Sequence, residues 1–126
     1  MSEMFDLAAA ERAFLAYFRG EAAKRGRVQF ADIDSDTGWA SFRVELLLPS
    51  GEKAIIWTQR TFVRGGGLNV VGQGVRWYPD SPASEPMKEV ADLGPERCVD
   101  RASALVVMES YAQQLLTLLE AEADRA

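Results

Sequence analysis

Three stretches of the chain carry residue types that could do chemistry. In Asp32-Ile33-Asp34-Ser35-Asp36-Thr37-Gly38, alternating carboxylates could converge on a calcium ion. The helix–loop–helix calcium site needs glycine at its sixth loop position and glutamate at its twelfth. Counted from Asp32, those positions hold Thr37 and Arg43. Aspartate and serine also form turns by bonding their own backbone, so this stretch reads as a turn. The glycines Gly65-Gly66-Gly67, with Gly72 and Gly74 beyond them, could cradle a phosphate. A phosphate loop must run from a strand into a helix N-terminus, whereas strand-like runs flank these glycines on both sides. Gly65–Gly67 then read as a hairpin needing positive φ, and Gly72 and Gly74 as a bulge or a close backbone approach. Cys98 lies between Arg97 and Arg101, and neighbouring cations lower a thiol pKa. With no histidine in the chain to act as its base, Cys98 reads as a small buried apolar residue.

The absence of histidine reaches further. It removes the commonest general base and the commonest transition-metal ligand together. One cysteine excludes an intramolecular disulfide and a cysteine-built zinc cluster. The sequence therefore leads us to expect no catalytic constellation, no metal and no cofactor.

What remains is recognition. Trp39, Arg43, Arg60, Arg64, Arg76 and Tyr78 fall where strand alternation could gather them on one sheet face. Arginines interleaved with aromatics serve protein interfaces and single-stranded nucleic acids alike. Sharing that face depends on the third strand's register, because a one-residue slip moves every side chain across the sheet. A second surface is acidic. The net charge is −5, and the acid is concentrated beyond residue 78, with Asp80, Glu85, Glu89 and Asp92 forming its first cluster. Overall acidity disfavours non-specific contact with nucleic acid or anionic membranes and favours a basic protein partner. A third candidate is a pocket between sheet and helices lined by Trp57, Phe62, Trp77 and Tyr111.

The elements that would position these residues follow from periodicity. A helix is expected from about Glu3 to Lys24, with Leu7, Ala10, Phe14, Tyr17 and Phe18 on its apolar face. Four strand-like runs follow, at Arg27–Ile33, Trp39–Leu48, Lys53–Val63 and Leu68–Tyr78. Their short links can join only antiparallel neighbours, so a four-stranded meander is expected. In the second run Ala40, Phe42, Val44, Leu46 and Leu48 make the core face. A proline-rich connection spans 79–94, with a short helix over Met87–Leu93. A long helix is then expected from Pro95 to Leu119. Leu105, Met108, Tyr111, Ala112, Leu115, Leu116 and Leu119 give it an apolar face wide enough to want cover on two sides, from the sheet and from a second helix or a second chain.

The expected architecture is a single α+β domain, residues 1–126, with both long helices on one face of the meander. In topology alone, helix-then-meander order resembles the cystatin-like arrangement. Small secretion chaperones are similar in acidity, layering and dimeric state, but place a helix among their strands where this sequence has none. No run is long and apolar enough for a membrane span, and the residues Met1–Asp6 carry acids where a signal peptide carries bases, so a cytoplasmic protein is expected. The functional expectation is a non-catalytic module that binds another protein, in the manner of an inhibitor, immunity protein, adaptor or chaperone, and forms a homodimer through the long helix. The alternatives are a nucleic-acid binder using the sheet face, and a small-ligand protein or enzyme using the pocket.

Overall fold

A computed structural model of the chain describes residues 6–36, 39–77 and 87–123. The elements run α1 (Leu7–Ala23), β1 (Arg27–Asp36), β2 (Trp39–Leu47), β3 (Lys53–Phe62), β4 (Leu68–Trp77), β5 (Met87–Cys98) and α2 (Arg101–Ala123). The five strands form one antiparallel sheet in the order β1-β2-β3-β4-β5. The helix–meander–helix plan holds, with one strand more than the sequence leads one to expect.

The extra strand is β5. It occupies the ground assigned to a short helix over Met87–Leu93 and to the start of the long helix at Pro95. Its disguise has a physical cause. The β4–β5 register shifts between Gly74 and Val75 and again between Val70 and Gly72. The first shift breaks the two-residue alternation around Val90 and Ala91, leaving a spacing that mimics a helix. The second accommodates Gly94-Pro95, with Gly94 at φ +91°. Proline has no N–H to give a ladder and is tolerated on an edge strand or at a bulge, and β5 is both.

The long helix begins six residues later than expected, at Arg101 rather than Pro95. Asp100 sets the start: its carboxylate accepts from the Ser103 N–H at 2.8 Å and from the Ser103 hydroxyl at 2.7 Å. These bonds favour the charged form and hold the Asp100 carboxyl below the ordinary range. Asp6 caps α1 in the same way, accepting from the Ala9 N–H at 3.1 Å.

Both helices lie on one face of the sheet. On α1, Phe14 stacks on Phe18 and meets Phe42 of β2, the ring centroids 4.8 Å apart in the latter pair. On α2, Ala104, Leu105, Met108, Ala112, Leu115, Leu116 and Leu119 are buried. Each large apolar side chain of this kind contributes about 1.5–3 kcal/mol on burial. Gly72 lets α2 approach: a Cβ there would lie 3.1 Å from the Tyr111 Cβ and 3.2 Å from Leu115. The close backbone approach read from the glycine spacing is therefore present, and its cause is a helix rather than a ligand. The helices also meet each other through Gln113 and Tyr17 at 3.4 Å, and Arg25, just past α1, pairs with Glu120 of α2 at 3.2 Å.

Candidate functional site

Strand alternation sorts the meander into two faces. Ala40, Phe42, Val44 and Leu46 of β2 pair across with Arg60, Thr58, Ile56 and Ala54 of β3, and all face the helices. The intervening residues Ser41, Arg43, Glu45, Ile55, Trp57 and Gln59 face the other way. On β4, Val70, Gly72, Gly74 and Arg76 point inward, and Val71, Gln73, Val75 and Trp77 point outward.

This parity redistributes the expected arginine–aromatic face. Trp39 and Arg43 lie on the outer face as anticipated. Arg60 and Arg76 do not. Arg60 is 1% exposed and forms an ion pair with Glu11 of α1, itself nearly buried. Arg76 is buried and paired with Glu52 in the β2–β3 turn. The third strand carries its polar residues Thr58 and Arg60 on the core side, and its larger apolar residue Trp57 on the open side, the reverse of the usual choice. Arg64 sits exposed at the β3–β4 turn, away from Arg43. Tyr78, Asp80 and Glu85 lie outside the described residues. The cationic half of a nucleic-acid platform is thus not assembled: its two central arginines are neutralised inside the domain, and Arg43 is held by Glu45 at 3.4 Å and stacked over Phe30 at 5.7 Å.

The pocket expected from Trp57, Phe62, Trp77 and Tyr111 is also divided. Trp57 and Trp77 lie on the outer face, with the sheet between them and Tyr111 on α2. Tyr111 instead donates to the Glu96 carboxylate at 3.2 Å, and burial together with that carboxylate pushes its pKa up. Cys98 is buried at the end of β5 rather than in a helical turn, and burial, then the charges of Glu96 and Asp100, raise its thiol pKa. The apolar residues assigned to a dimer helix, Leu105, Met108, Ala112, Leu115, Leu116 and Leu119, are consumed by the chain's own core, and Tyr111 is half-buried beside them. Asp32 and Asp34 belong to β1 rather than to a turn, and both are exposed on its outward side. Among the described residues, no group of three acidic or cysteine side chains is placed to hold a metal ion.

The surface left over is the outer face of the sheet. Among the described residues no helix lies on it, yet it is apolar at its centre. Ile55 and Trp57 of β3 adjoin Val71, Val75 and Trp77 of β4, all partly exposed. All three tryptophans of the chain are on this face, Trp39 being the most open at 36%. Two depressions mark it. One, of about 330 Å³, is lined by Ser41, Arg43, Ile55, Trp57 and Gln59. The other, lined by Trp39, Gln59, Thr61 and Phe62, adjoins it through Gln59, so a shallow groove follows β2 and β3. Sequence reasoning placed Trp57 and Trp77 in a pocket because it could not fix the β3 register. The signal that finds them is the second strand, whose clean alternation fixes its own faces and, through pairing, those of β3 and β4.

No protein-family model, no curated protein and no solved structure matches this chain. Among the described residues no helix is long and apolar enough to cross a membrane.

Proposed function

We propose that the chain is a non-catalytic protein-interaction module and that the outer face of its sheet is the surface that binds the partner. The observation that carries this reading is the partly exposed apolar centre built from Ile55, Trp57, Val71, Val75 and Trp77, with no helix over it among the described residues. A sheet face that meets only water normally alternates polar side chains on that side. Here apolar and aromatic residues stand where polar ones would cost nothing, and they stand together. Interface centres are enriched in tryptophan and surrounded by a polar rim. Arg43, Glu45, Lys53, Gln59 and Asn69 supply that rim.

The α2 surface is the weaker candidate. Its open apolar residues, Val106 at 66% and Leu118 at 42%, are separated by more than three helical turns and form no patch.

A photo-cross-linking amino acid placed at Gln59 in the source cells tests the reading, with the same group at Thr117 on the exposed side of α2 as control. A discrete adduct from position 59 and none from position 117 is expected. Adducts from neither position, or equal adducts from both, would refute the assignment of the sheet face.

A further inference from the structure

The outer face also carries information about its occupant. Its largest apolar strip, Ile55, Trp57, Val71, Val75 and Trp77, lies on the central strands β3 and β4, whose backbone groups are already paired in the ladders. Trp39 and Leu47 of β2 and Phe30 of β1 extend the apolar surface toward one edge. A chain lying on the strip finds side chains and no backbone partners. It must therefore satisfy its own backbone hydrogen bonds. From Val71 to Trp77 the strip runs roughly 20 Å along the strands, and two strands make it about one helix wide.

The charges lie at the edges. On β5, the bulge at Gly74/Val75 brings Glu89 and Asp92 together opposite Val75 and Gln73. They crowd each other, and Asp92, by hydrogen bond and then by charge, raises the Glu89 pKa. Among the described residues neither is paired with a base. On β1, Asp32 and Asp34 face outward, with Arg43 opposite Asp32 but engaged by Glu45. Arg27, Lys53 and Arg97 are the other bases of this face. Arg97 is turned to the Gly66 carbonyl at one end of the sheet, and Arg27 and Lys53 lie at the opposite end, away from Asp32 and Asp34 along β1. The apolar strip is thus flanked by acid on both edge strands.

This layout disfavours a second copy of the chain as the occupant. Two such faces stacked about a two-fold axis place β1 on β1 and β5 on β5, or β1 on β5. Each arrangement apposes edge strands on which outward carboxylates outnumber outward bases, so the charges of the two copies match poorly.

We infer that the occupant is a basic amphipathic α-helix of about 13 residues, lying along β3 and β4. Its apolar stripe covers Trp57, Val75 and Trp77, and its flanking lysines or arginines reach Glu89 and Asp92 on one side and Asp32 and Asp34 on the other. The inference rests on the sheet face being the binding surface and specifies the partner's chemistry.

The test uses the full chain and two synthetic 14-residue peptides. Both carry leucines at helical spacing; one has lysines on its flanks and the other glutamates. Because all three tryptophans lie on this face, their fluorescence reads binding directly. The lysine peptide is expected to bind, more weakly as salt rises, and about three- to tenfold more weakly to the Glu89→Gln/Asp92→Asn variant. The glutamate peptide is expected not to bind. Equal binding of the two peptides, or unchanged affinity in the double variant, would overturn the inference. Binding of neither peptide would overturn it too. If the cross-link from position 59 still forms in that case, the error lies in the helix and its charge, and the surface assignment survives.

Discussion

On β3, Ile56, Thr58 and Arg60 point into the helix layer, while their neighbours Ile55, Trp57 and Gln59 point away from it. One strand thus presents a buried arginine to the core and a tryptophan to the open side. The inner face has spent its binding capacity on α1 and α2, even at the cost of desolvating the Arg60–Glu11 pair. The outer face has spent none. The contrast teaches that apolar content alone does not locate the core of a two-layer domain; what matters is which face the helices cover.

The largest effect expected from this contrast is at the buried pair. Arg60→Met leaves Glu11 charged and unpaired in the interior and should cost about 3–5 kcal/mol in urea unfolding. The Glu11→Leu/Arg60→Met double variant should recover most of that loss. A single variant as stable as the parent would mean that water reaches the pair and that the inner face is not closed. Gly72 and Gln73, adjacent and on opposite faces, give the next comparison. Gly72→Val drives its methyls into Tyr111 and Leu115 and should cost about 1–3 kcal/mol. Gln73→Val should stay within about 0.5 kcal/mol. Equal costs would contradict the assignment of the two faces.

A subtler expectation concerns pH. The Cys98 and Tyr111 pKa values are both raised, so the folded chain holds these protons more tightly than the unfolded chain does. The folded state then binds more protons at alkaline pH, and stability should fall as pH rises above about 8.5. Cys98→Val should flatten the first part of that decline in unfolding titrations; an unchanged slope would remove the thiol from the account. A local effect is expected at the α2 cap, where Asp100→Ala should lower Tm by a few degrees.

How much of this was legible in the sequence varies with how local its cause is. The clean alternation of β2, from Trp39 to Leu47, gave its faces correctly because each residue's side is set by its immediate neighbours. The close approach at Gly72 was readable because a glycine inside a strand has few other uses. β5 was missed because its bulges destroy the period on which recognition depends, and Gly94-Pro95 then reads as a helix boundary. Arg60 and Arg76 were misplaced because a charged side chain is read as exposed, and the partners that permit their burial, Glu11 and Glu52, are distant in sequence or in a turn. The apolar surplus of α2 was real, but a five-stranded sheet with α1 alongside covers it more fully than four strands would. The open apolar face of the sheet escaped because the β3 register is ambiguous in the sequence, which let Trp57 and Trp77 be assigned to a pocket on the helix side.

The central claim is that the outer face, and not the helix layer, is the chain's free surface. Because Trp39, Trp57 and Trp77 all lie there, acrylamide quenching of tryptophan fluorescence across a dilution series measures its coverage directly. Quenching characteristic of partly exposed indoles is expected, unchanged from high to low protein concentration, with protection once the lysine peptide is added. Quenching as low as that of buried tryptophans, or protection that vanishes on dilution, would mean that the chain or a second copy of it already covers this face.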